Sequence, residues 1–305
     1  MQFYNDNTIL NIQNNNMAGL KHLRNRVKSI KSTQKITKAM QVVSAAKLRK
    51  VKDQAEDLND YSVVLAEIMH DITTHLNQLE LDSRELKFFK EKLTGLPHLL
   101  VVMTSERGLC GSFNSQIIRA VKRDISTLRG QDIKVRLLVI GKKGYDALKG
   151  EYADLIEEYY HVAKEKSLPI VLQVKERIVG LVNEEKIGSC YLYYNEFQNA
   201  LTQVMTKLQV LPAPQQNADS AELSSYEYEG SDFVDVLINL YITGVIKYGF
   251  LQNKASEEAA RMTAMDNATR NAGELMNDLT LVLNRSRQAM ITTELTEIIS
   301  GAEAL

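Results

Sequence analysis

Apolar and small side chains recur at Leu237, Leu240, Gly244, Tyr248, Leu251, Ala255, Met262, Met265, Ala272, Met276, Leu279, Leu283 and Met290, in steps of three, four and their sums. That is the period of one helix face. No proline falls between residues 232 and 305. The pattern therefore predicts one unbroken helix, on the order of 100 Å long at about 1.5 Å per residue. A helix of that length cannot bury its stripe inside one small domain and needs a partner. Near the other end, Leu20, Leu23, Val27 and Ile30 form a second stripe, and Val51, Ala55, Leu58, Leu65, Met69, Ile72, Leu76 and Leu79 continue it. Between them Gln34 and Thr37 make the stripe polar while Ile36, Met40 and Val43 form a displaced apolar row. This predicts that the buried side changes there. Two long proline-free helices at opposite ends of a chain pair most economically as an antiparallel coiled coil, here over 17–80 and 232–305.

The period changes in between. Residues 99–103 (LLVVM), 133–140 (IKVRLLVI), 189–197 (SCYLYYNEF) and 201–211 (LTQVMTKLQVL) read as strands, with helical stretches running to about Leu128, after Gly144, and from Pro169 to about Glu185. Strand, glycine turn and helix in alternation predict a doubly wound, Rossmann-like α/β domain within 95–231. Residues 80–97 read as a junction. Residues 212–230 read as a loop, ending in Tyr226-Glu227-Tyr228-Glu229, either an edge strand or a contact surface of rigid aromatic area. Residues 1–16 are Asn-rich with no Lys or Arg. They read as a disordered extension that is neither a signal nor a transit peptide.

An apolar share of 44% with 25% charged is ordinary for a soluble chain, and a net charge of −1 argues against nucleic acid as a partner of the whole protein. No apolar run reaches the roughly eighteen residues of a membrane span, so membrane association is expected through partners. Cys110 and Cys190 have no framework spacing and suggest a reducing compartment. The five histidines are scattered, and no metal site is expected. Charge along the first helix is one-sided: Lys21, Arg24, Arg26, Lys28, Lys31, Lys35, Lys38, Lys47, Arg49, Lys50 and Lys52 meet no acid before Asp53. Such a run is either a solvated face or a surface for an acidic partner, and without interleaved aromatics an acidic protein fits better than nucleic acid.

Gly108 and Gly111 follow a strand and open a helix, where backbone N–H groups hold anions in other folds. Their G-x-x-G spacing is not that of a dinucleotide or phosphate loop, nor is that of Gly141-Lys142-Lys143-Gly144. Tight turns and close packing account for them, and no cofactor is expected. A nucleotide-binding α/β enzyme with helical arms remains the alternative.

Residues 17–50 (MAGLKHLRNRVKSIKSTQKITKAMQVVSAAKLRK), the turn SERGLCGSFN at 105–114, and the tail from Ala255, above all ITTELTEIISGA at 291–302, resemble the gamma subunit of F-type ATP synthases. The resemblance covers 17–305. It implies a non-catalytic central-stalk rotor whose terminal helices stand as a coiled-coil shaft inside a hexamer of alpha and beta subunits. The α/β domain would meet the epsilon subunit and the membrane c-ring. Such a shaft passes rotation of the ring to the catalytic beta subunits and governs ATPase activity and proton flow. By the same resemblance Lys35, Ile36, Lys38 and Met40 lie near an acidic loop of beta, Arg261, Glu294 and Thr296 serve beta contact and coupling, and Tyr226, Tyr228 and Glu229 meet the ring. Thr293 stands where some members carry Gln, and residues 1–16 have no counterpart. The lack of a paired-cysteine insert implies no thiol regulation, and the lack of a transit peptide favours the cytoplasmic face of a bacterial plasma membrane.

Overall fold

The computed structural model describes residues 6–74, 86–89, 95–162, 167–213 and 233–303. The elements are α1 (Asp6–Thr74), α2 (Leu86–Phe89), β1 (His98–Met103), α3 (Phe113–Gly130), β2 (Val135–Ile140), α4 (Lys142–Leu148), β3 (Ile156–Tyr160), α5 (Ser167–Asn183), β4 (Ser189–Phe197), β5 (Gln203–Leu211) and α6 (Phe233–Glu303). Two compact units result: Ser44–Thr263, and Met1–Val43 with Ala264–Leu305. The division falls inside both long helices, whereas the change of period in the sequence placed it near 80 and 232. The reason is that the first thirty or so residues of α6 form a layer of the α/β unit.

In that unit five strands lie in the order β3-β2-β1-β4-β5. β1 pairs in parallel with β2 and β4, β2 in parallel with β3, and β5 closes the far edge antiparallel to β4. Side chains of β1 alternate, as a pleated strand requires. Leu99, Val101 and Met103 enter one core with Ile170, Val174 and Ile178 of α5 and Leu237, Ile242 and Ile246 of α6. Leu100 and Val102 enter the other with Ile117, Val121 and Ile125 of α3 and Leu148 of α4. Because both faces are covered, the central strands read as unbroken apolar runs. The doubly wound fold is therefore as the sequence implied, with β3 as an additional edge strand.

The other unit is an antiparallel helix pair. Gln34 and Thr37 of α1 hydrogen-bond Thr269 of α6, and Gln41 bonds Asp266, so rising numbers on one helix meet falling numbers on the other. The inward-facing positions of α6 are Met265, Thr269, Ala272, Met276, Leu279, Leu283, Ser286 and Met290, a 4-3 alternation of coiled-coil type. On α1 they are Leu20, Leu23, Val27, Ile30, Gln34 and Thr37. Here the expected change of buried side is corrected. The seam runs on through Gln34 and Thr37, which find hydrogen-bond partners across it, while Ile36 and Val43 are 60% and 54% exposed. α1 is also helical from Asp6. The described part of the 1–16 extension thus continues the helix in place of the expected disorder, since adding a residue to a nucleated helix fixes one residue for one hydrogen bond.

Candidate functional site: the exposed surface of the helix pair

The helix pair leaves much apolar surface in water. Ile36, Val42 and Val43 on α1, and Leu275, Leu281 and Val282 on α6, are exposed. Towards the C-terminus Ile291, Leu295, Ile298 and Ile299 are exposed as well, 67% for Ile298. Their i, i+4, i+7, i+8 spacing puts them on one face of α6. Contiguous exposed apolar surface marks an interaction site. Sequence reasoning selected the polar neighbours Glu294 and Thr296 and passed over this face, although its spacing was present in ITTELTEIISGA.

Lys35 and Lys38 are exposed beside Ile36. Lys38 Nζ donates to Gln41 Oε1 at 3.0 Å, and Gln41 Nε2 donates to Asp266 Oδ1 at 2.8 Å. Lys21, Arg24, Arg26, Lys28, Lys31 and Lys35 form no ion pair with a described acid, so their charge remains available to a partner. Met40 is half-buried at the border of the seam. Glu294 is exposed, and Thr296 spends its hydroxyl on the Thr292 carbonyl at 2.8 Å, as Thr293 does on Ala289. The antiparallel register sets residues 34–41 against 266–273. Glu294 and Thr296 therefore lie on the order of 35 Å further along α6, and the candidates fall into two regions of the pair.

Arg261 belongs to neither of these two regions. It lies in the α/β unit, 5% exposed. Its guanidinium donates to Glu257 at 2.6 Å and to the Arg107 carbonyl at 3.4 Å, and pairs with Glu258 at 3.1 Å. Burial alone would raise the Glu257 carboxyl, but Lys254 and Arg261 outweigh it and hold the group below the ordinary carboxylate range. The guanidinium is used up neutralising two buried acids, because either acid left alone would be costly. Tyr226, Tyr228 and Glu229 lie outside the described residues.

The glycine turns are packing features. Gly141 has φ +96° and a side chain there would meet the Thr104 carbonyl oxygen at 2.1 Å, while Gly144 N–H donates to Thr104 Oγ1 at 2.8 Å. The turn after β1 is closed on itself, with Ser105 N–H donating to Asn114 Oδ1 at 2.9 Å. Burial pushes the Cys110 thiol up, and Cys190 higher still, so neither is an activated nucleophile. Among the described residues no group of three or more His, Cys, Asp or Glu could hold a metal ion, and no helix is long and apolar enough to cross a membrane.

An antiparallel helix pair that leaves basic and contiguous apolar surface exposed is the hallmark of a protein class that works through contact with other subunits. The chain belongs to the ATP synthase family, whose model matches residues 19–305. It is 50% identical over 290 residues to the ATP synthase gamma chain of Rickettsia akari, covering 95% of this chain and all of that one, and equally identical over the same length to that of Rickettsia prowazekii. Among solved structures it is similar to a chain of the Tetrahymena thermophila mitochondrial ATP synthase central stalk and c-ring, with 25% identity, TM-score 0.58, and 76% of this chain and 99% of that one covered. A chain of the Euglena gracilis mitochondrial ATP synthase rotor shares the fold at 18% identity, TM-score 0.62, with 90% and 99% covered.

Proposed function

We propose that the chain is the central-stalk rotor of a proton-translocating ATP synthase. Its helix pair stands within a hexamer of alpha and beta subunits, and its α/β unit binds the epsilon subunit and the c-ring at the cytoplasmic face of a bacterial plasma membrane. The observation that carries this reading is the exposed apolar surface of the helix pair, from Ile36 and Val43 to Ile298 and Ile299, in a chain 50% identical to gamma chains. That surface needs a sleeve, and a ring of subunits supplies one. The rod differs from side to side, basic on α1 and apolar on the tail face. Identical subunits around it are touched differently and biased to different states, so turning the rod moves each through the series. Regulation of hydrolysis and proton flow follows from the same contacts. Tyr226, Tyr228 and Glu229 are proposed to meet the ring, and Lys35, Ile36, Lys38, Met40, Glu294 and Thr296 the beta subunits.

Co-expression with the alpha and beta subunits of the same organism tests the reading. The tagged chain is expected to bring down both in an ATP-hydrolysing complex. Recovery of the chain alone, with ATP bound to it, would instead favour the nucleotide-binding enzyme.

A further inference from the structure

β4 extends past the end of its pairing with β1, which stops at Val102 opposite Tyr193. Beyond that point the edge of β4 that faced β1 offers main-chain groups with no strand to take them. Side chains of α6 take them instead. Asn195 N–H donates to Asn253 Oδ1 at 3.0 Å, Ser256 Oγ donates to the Asn195 carbonyl at 2.9 Å, and Phe197 N–H donates to Gln252 Oε1 at 3.2 Å. Asn195 and Ser256 are fully buried. One turn earlier Gly249 lies so near β4 that a Cβ there would be 2.4 Å from the end of the Leu192 side chain.

We infer that these side chains are a polar latch fixing α6 to β4 in both rotational and axial register, so that the α/β body drives the helix without slip. The inference rests on the rotor reading. Apolar packing between α6 and the sheet is non-directional and is partly restored after a small twist or slide. Hydrogen bonds to buried main chain are not: a one-residue shift turns the helix by about 100° and moves it about 1.5 Å, which leaves every donor and acceptor of the latch unpaired. A helix that must carry torque needs the second kind of contact, and it occurs where the strand ladder runs out.

The test uses the assembled complex and compares two variants brought to the same fall in melting temperature. Asn253→Ala with Ser256→Ala deletes the latch, and Ile246→Val thins the apolar contact. Both are expected to assemble and hydrolyse ATP, but only the latch variant should lose ATP-driven proton pumping per ATP hydrolysed. Equal loss in the Ile246→Val complex would overturn the inference, as would parental pumping in the latch variant. If the double variant does not fold, Ser256→Ala alone should show a partial loss, and parental pumping there would equally overturn it. Failure of the unaltered chain to co-purify with alpha and beta overturns the rotor reading and the latch's role with it.

Discussion

The hydroxyls of Thr37 and Thr269 meet across the helix pair at 2.7 Å. Thr37 Oγ1 also lies 3.0 Å from the Gln34 carbonyl, and Thr269 Oγ1 lies 2.7 Å from that of Met265. Two protons serve three contacts. One hydroxyl must donate across the seam, and the other turns back on its own helix. This pair fixes the register of α1 against α6, as a buried polar position does in other coiled coils. Replacing Thr37 with Val leaves Thr269 without its seam partner and should cost about 1 kcal/mol. The double Val variant should cost less than the sum of the singles, read from thermal melts. Strict additivity would show that the contact carries no coupling.

The exposed row makes the opposite demand. Ile36→Ser and Val43→Ser remove apolar area already in water, so the isolated chain should change stability by less than about 0.5 kcal/mol. Binding to the alpha–beta hexamer should weaken by about 1–3 kcal/mol if these residues anchor it. Unfolding and binding titrations on one preparation separate the two effects. A large loss of stability with unchanged binding would return both residues to the seam.

Reversing Lys35 and Lys38 to Glu should leave the fold intact, since both are exposed. Against an acidic partner surface the change brings like charges together, at a cost of a few kcal/mol where the contact is desolvated, roughly 2–5. ATP-driven proton pumping should fall further than hydrolysis does. Unchanged pumping would make the basic run a solvated face.

Strands β1 and β2 were legible because burial on both faces imposes largely apolar runs, while β4 and β5 were legible from their β-branched and aromatic residues, Ser189–Phe197 to the residue. β3 was not: Glu157 and Glu158 interrupt IEEYY, and an edge strand needs little burial. Glu157 pairs there with Arg136 and Arg177, partners remote in sequence. The unit boundary near Val43 and Thr263 was hidden because the helix period runs through it unchanged. What differs is the number of buried sides, and that depends on the sheet. Thr37 and Gln34 were misread for the same reason: polarity marks a residue as exposed only until its partner across the seam is known. The identities of Arg261, Glu257 and Glu258 were plain in the sequence, but not that the arginine is buried against both acids and the Arg107 carbonyl.

Arg261 supports a pH test. Because Glu257 is held below the ordinary carboxylate range, its contribution to stability is full above that range and is lost as pH falls through the lowered native value. Arg261→Met leaves Lys254 beside Glu257 but removes the second cation that holds it down, and it keeps the burial, so the carboxyl should rise from its lowered value. Stability near pH 7 should drop by about 3–5 kcal/mol. The deficit relative to the parental chain should shrink towards pH 5, because the raised Glu257 carboxyl of the variant takes up its proton at a higher pH than the parental one does. Denaturant unfolding at the two pH values checks the sign, and a loss equal at both would show that the arginine acts by packing alone.

Turning of this chain within its partners can be watched directly. The direct measurement fixes the beta subunits of the assembled complex to a surface, attaches a visible rod to Lys142→Cys on the exposed start of α4, and supplies ATP. The other cysteines, Cys110 and Cys190, are buried and should not compete for the label. Continuous rotation in one direction, stopping when ATP is withdrawn, is expected. Sustained hydrolysis with the rod held at one angle would contradict it.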